Sequence, residues 1–110
     1  MNRNYSPYTA DMKYRGTVYS FAFDITFTDE QGFRAYIRTA PSYGSRSDSL
    51  SSTHRLRDNG RCYICWNSTI SSLSAMKAVI QLWTTATVMY IADGGTFETH
   101  ASRIRSANFN

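Results

Sequence analysis

Cys62 and Cys65 stand in a C-x-x-C spacing and, with His54 and His100, make up a set of soft ligands of the kind a tetrahedral zinc site uses. Zinc-binding pairs of this spacing sit on a tight turn that brings both sulfurs together. Here the two cysteines fall within the aromatic run Tyr63, Ile64, Trp66, where residues three apart face opposite sides of a strand. A redox pair would need a helix N-terminus to lower one thiol's pKa, and no helix is expected to begin at Cys62. Both cysteines are therefore read as reduced and structural, and no metal or cofactor is assigned.

No active site is assigned either. Neither histidine lies in a catalytic motif, and the serines concentrate in one loop, a poor place for a preorganised nucleophile. The chain has no glycine-rich phosphate cradle and no paired-carboxylate motif. Asn67, Ser68 and Thr69 match a glycosylation acceptor. With no apolar leader behind the polar opening Met1 to Ser6, the match is read as chance. The expected protein is a non-enzymatic one that stays in the cytoplasm.

Arginine carries more information. The formal charge is +4, from 12 Lys plus Arg against 8 Asp plus Glu, and ten of the twelve cations are arginine. A guanidinium is a planar fork that grips phosphate or carboxylate at two points and stacks on rings, so the preference points to recognition. Between Phe33 and Arg61 lie Arg34, Arg38, Arg46, Arg55, Arg57 and Arg61 against only Asp48 and Asp58, an excess equal to the whole net charge.

The elements that must position these residues follow from periodicity. A chain of 110 residues encloses one core, so residues 1–110 are read as a single domain. Residues 1–16 carry Tyr5, Tyr8 and Tyr14 without clear periodicity and are expected to form an arm over the body. From Thr17 to Thr28 the alternation is strict, with Tyr19, Phe21, Phe23, Ile25 and Phe27 on one side. After the turn at residues 29–32, Phe33, Ala35 and Ile37 alternate with Arg34, Tyr36 and Arg38 as the returning strand of a hairpin. Residues 42–53 hold six serines and are expected to be a mobile loop. Residues 54–57 and 61–66 flank Asp58, Asn59 and Gly60 as a second hairpin.

Ser71 and Ser72 offer an N-cap, and Leu73, Met76, Ile80, Trp83, Thr87 and Tyr90 recur at helical spacing as far as Gly94 and Gly95. This predicts one long helix. A competing reading ends it after Trp83 and makes residues 87–92 a strand, because Thr84, Thr85, Thr87 and Val88 favour extended backbone. Residues 73–92 also contain Lys77, Gln81 and three threonines, which makes them a poor membrane span. Residues 97–100 read as a short strand and 101–110 as a polar tail.

The expected fold is thus α+β: an antiparallel sheet of about four strands in two hairpins, with one long helix packed on one face. Alternation assigns Leu56, Cys62, Ile64 and Trp66 to the helix side, leaving Arg34, Tyr36, Arg38, Arg55, Arg57, Arg61 and Tyr63 outside with Arg46 in the loop beside them. Guanidinium groups for phosphates and rings for bases suit single-stranded nucleic acid. The same face, read blandly, is a solvated sheet surface whose charges discourage aggregation. The functional expectation is a small binding protein that engages nucleic acid, a complex that handles it, or an acidic protein surface. The alternative is a compact inhibitor or adaptor that blocks a partner protein, as small phage or mobile-element proteins do. Oligomeric state is not legible.

Overall fold

Phe21, Phe23 and Ile25 decide which side of the sheet is the inside. All three are fully buried, and they alternate with Ala22, Asp24 and Thr26 as strand geometry requires. The computed structural model, which describes residues 3–108, sets them in a five-stranded antiparallel sheet. Its strands are β1 (Arg3–Tyr14), β2 (Thr17–Thr28), β3 (Gly32–Thr39), β4 (Arg55–Asp58) and β5 (Arg61–Ile64), in the order β1-β2-β3-β5-β4. Two helices follow, α1 (Leu73–Asp93) and α2 (Phe97–Asn108). The class is α+β as the sequence implied, with one strand and one helix more than expected.

The added strand is the segment expected to be an arm. β1 pairs with β2 along its length, Tyr8 opposite Phe23, Ala10 opposite Phe21 and Met12 opposite Tyr19. Tyr8, Ala10, Met12 and Tyr14 therefore share the inner face and pack half-buried against the core. Their alternation is diluted by tyrosine and alanine, which is why it read as irregular. Residues 1–2 lie outside the described residues.

α1 starts where the sequence placed it: Ser72 Oγ accepts a hydrogen bond from the Ala75 amide at 3.1 Å. It runs unbroken to Asp93, so the competing strand at residues 87–92 is not formed. Packing overrides the β-branched propensity there, because Thr84, Ala86, Thr87 and Val88 are all buried in the helix. Trp83 meets the sheet edge-on, with ring centroids 5.9 Å from Phe21 and 6.1 Å from Phe23. Burial of each such ring stabilises the fold by about 1.5–3 kcal/mol.

Residues 97–100 and the expected tail form α2 instead of a strand and a coil. Phe97, His100 and Ala101 are buried and Ile104 is half-buried, a spacing of three, four and seven that defines one helical face. Thr96 caps the start, its Oγ1 accepting from the Thr99 amide at 3.2 Å. His100 Nε2 lies 2.7 Å from the Gly94 carbonyl and ties α2 back to the end of α1. Residues 109–110 lie outside the described residues.

Glycine is required at the β2–β3 turn. Gly32 has φ +71, and a Cβ there would lie 2.6 Å from the Ile70 carbonyl oxygen. That carbonyl accepts from the Phe33 amide at 2.8 Å and so fastens the approach to α1 onto β3. Among the described residues no helix is long and apolar enough to cross a membrane.

Candidate binding face

The β4–β5 turn decides which side chains reach the outer sheet surface. Asn59 and Gly60 both have positive φ, 56° and 79°, the signature of a two-residue hairpin turn. Asp58 therefore pairs with Arg61, Arg57 with Cys62, Leu56 with Tyr63 and Arg55 with Ile64. The sequence pattern instead places Asp58 inside the turn, and that one-residue slip exchanges the two faces of β4. As a correction, Leu56 is on the outer face, 42 % exposed, while Arg55 and Arg57 point to the side of Cys62 and Ile64.

The expected set of eight residues thus divides. Arg34, Tyr36 and Arg38 from β3 and Arg61 and Tyr63 from β5 come together outside. Arg46 is elsewhere: its Nε and Nη2 donate to the Ile91 and Ala92 carbonyls at 3.2 and 3.4 Å, capping the negative end of α1. Arg55 is anchored under the serine-rich segment, donating to Thr53 Oγ1 at 2.7 Å and the Asp48 carbonyl at 2.7 Å and lying 5.2 Å from the Tyr43 ring centroid. Arg57 is exposed, with no ion pair among the described residues.

The serine-rich segment is itself tied to α1. Tyr90 donates its hydroxyl to the Ser47 carbonyl at 2.7 Å, and the Trp83 indole donates to the Thr53 carbonyl at 3.1 Å. Both donors sit on the buried stripe of α1, so the helix that covers the sheet also holds this segment in place.

On the outer face, Leu56, Tyr63, Tyr36 and Asp24 form one row across β4, β5, β3 and β2. The two tyrosine rings are 5.4 Å apart. Guanidinium groups close over them, Arg34 at 4.2 Å from the Tyr63 centroid and Arg61 at 5.1 Å from that of Tyr36. Carboxylates hold the cations in turn. Arg34 Nη1 donates to Asp58 Oδ2 at 2.9 Å and to the Tyr36 hydroxyl at 3.2 Å. Arg61 Nη2 donates to Asp24 Oδ2, and Arg38 Nε stands 3.6 Å from Asp24 Oδ1. Burial pushes the Asp24 carboxyl upward, but the hydrogen bonds from Arg61 and Ser6 and the charges of Arg38 and Arg61 outweigh it and hold Asp24 below the usual carboxylate range. The face is a lattice of fixed rings and paired charges with little free positive charge.

A second concavity, of about 570 Å³, opens on the other side between β5, α1 and α2. Ile64, Trp83 and Phe97 line its floor, and His54, Trp66 and Arg105 its rim. His54 stacks on Phe97 with ring centroids 4.4 Å apart and pairs through Nε2 with Glu98; that hydrogen bond holds the Glu98 carboxyl below its ordinary range. Cys65 lies in the same wall, but neither hydrogen-bonds the ring nor joins a metal-binding cluster among the described residues. The chemistry assembled there is a histidine–carboxylate hydrogen bond against apolar rings, and no side-chain nucleophile among the described residues is hydrogen-bonded to that histidine. This cleft is not legible in the sequence, because the local pattern around Phe97, Glu98 and Arg105 suggests a short strand and a polar tail.

No protein-family model, curated protein or solved structure matches this chain.

Proposed function

We propose that this is a non-enzymatic binding protein that docks on a partner protein through the outer face of its sheet, as an inhibitor or adaptor. One observation carries the reading: Arg34, Arg38 and Arg61 are already paired with Asp58 and Asp24, and Arg34 and Arg61 also lie over the rings of Tyr63 and Tyr36. Protein interfaces concentrate their binding energy in rigid tyrosine and arginine side chains beside an apolar anchor. Leu56, exposed at the end of the tyrosine row, supplies that anchor. Side chains paired and stacked in the free chain have less freedom to lose on association.

Nucleic acid is the less favoured ligand on this geometry. Phosphates would have to displace Asp24 and Asp58, and two of the six clustered arginines, Arg46 and Arg55, are committed to backbone carbonyls. Titration of a labelled single-stranded oligonucleotide decides between the two. A phosphate-binding face loses affinity steeply between about 50 and 200 mM salt. The expected outcome is no saturable binding at the lower salt, together with capture of a host protein by the wild-type chain that Leu56→Arg abolishes. Tight, salt-dependent oligonucleotide binding that Arg34→Ala weakens would replace the protein-docking reading with the nucleic-acid one.

A further inference from the structure

β1 is an outermost strand of the sheet, and its free edge is long. Edges of this kind are templates for another strand unless something blunts them. The N-terminal part is blunted: the register with β2 shifts between Tyr5 and Tyr8, and Pro7 has no amide to donate. Residues 8–14 keep an unbroken register with β2. They are followed by the two-residue turn Arg15–Gly16, both with positive φ. Because Tyr14 and Thr17 close that turn, Tyr8, Ala10, Met12 and Tyr14 direct their peptide groups to β2, and Thr9, Asp11 and Lys13 direct theirs away from the sheet.

The exposed charges on this edge are self-complementary in one register. A strand related by a two-fold axis through Met12 sets Asp11 opposite Lys13 of its mate, and Lys13 opposite Asp11, both at positions where the outward peptide groups form narrow hydrogen-bonded pairs. A two-fold axis on Asp11 or on Lys13 sets like charges against each other, which is destabilising. On the inner face the same register places Met12 against Met12 and the small Ala10 against the large Tyr14. That side needs filling. A groove of about 350 Å³ runs between β1 and α1, lined by Ala10, Met12, Ile80 and Thr84 among others. Thr84 is buried there, and its hydroxyl has no hydrogen-bond partner among the described residues.

We propose that two copies of this chain associate through their β1 edges about a two-fold axis at Met12, joining their sheets into one continuous antiparallel sheet. The interface is isologous: backbone hydrogen bonds from Asp11 and Lys13, two reciprocal ion pairs outside, and a Met12–Tyr14–Ala10 seam beneath the groove. It leaves the Leu56–Tyr63 end of the outer face free, so dimerisation and partner docking are separable.

Sedimentation equilibrium on the full chain tests this, with Lys13→Asp, Asp11→Lys and the exchanged double variant compared with wild type. Wild type is expected to be a dimer. Each single change sets like charges opposite twice and should weaken association about tenfold or more, given the size of cross-strand pair effects. The double exchange restores the attraction with the order reversed and should return the dimer. Circular dichroism spectra, unchanged in all three, exclude misfolding, since both side chains are exposed. A wild-type chain that stays monomeric at high micromolar concentration overturns the proposal. So does a dimer that the single variants leave intact, or one that the double exchange does not restore.

Discussion

Leu56 stands opposite Tyr63 across β4 and β5, on the side of the sheet that faces away from the helices. A leucine there contributes little to the core, so its loss should not cost stability. Leu56→Ser is expected to change unfolding free energy by no more than about 0.5 kcal/mol, the range for exposed positions. Urea denaturation with an unchanged m-value checks this. A much larger loss would show that Leu56 is packed, contrary to its place in the proposed docking row.

Trp83 acts in two ways, through its ring against Phe21 and Phe23 and through its indole N–H to the Thr53 carbonyl. Trp83→Phe keeps much of the ring and leaves a part of the serine-rich segment unbonded, which should cost about 1–3 kcal/mol. Trp83→Ala removes both and should cost about 3–5 kcal/mol. Amide exchange should quicken around Thr53 in both variants if the indole pins that segment.

Gly32 predicts a backbone penalty. Gly32→Ala asks an L-residue to adopt φ +71 while its Cβ meets the Ile70 carbonyl at 2.6 Å, and should destabilise by about 1–3 kcal/mol. Thermal melting reads the loss.

Acid should weaken both the outer lattice, through Asp24, and the His54–Glu98 contact of the cleft. Asp24 and Glu98 both titrate below the ordinary carboxylate range in the folded chain. A depressed folded-state pKa contributes stability that is fully present above the unfolded-state value and is lost as pH falls through the folded-state value. Stability should therefore drop below about pH 4, near the ordinary carboxylate pKa. Asp24→Asn should flatten that acid limb while lowering stability near neutral pH. Denaturation midpoints measured from neutral pH downward follow both effects.

Strong periodicity was what made elements legible in the sequence. β2, with five aromatic or aliphatic residues on alternate positions, and α1, with a serine cap and a full apolar stripe, could be placed from the residues alone. β1 and α2 could not be placed as readily, since tyrosine, alanine and histidine mark their buried faces and only pairing with β2 or packing on α1 makes those faces apolar. For the binding face, the alternation within β3 is enough to put Arg34, Tyr36 and Arg38 on the outer side. The β4 error came from a single turn residue: with Asp58 counted inside the loop, Arg55, Leu56 and Arg57 all changed sides. Charge clustering in sequence also concealed charge pairing in space, because Asp24 belongs to a different hairpin from Arg61 and stands beside it only after the strands assemble as β2-β3-β5.

The most direct test of the docking face is photo-crosslinking in the native host from a benzophenone side chain placed at Leu56, compared with the same group at Ala78 on the exposed side of α1. Docking through the outer sheet face gives a discrete protein adduct from position 56 and none from position 78. Adducts from position 78 alone, or equally from both, would contradict it.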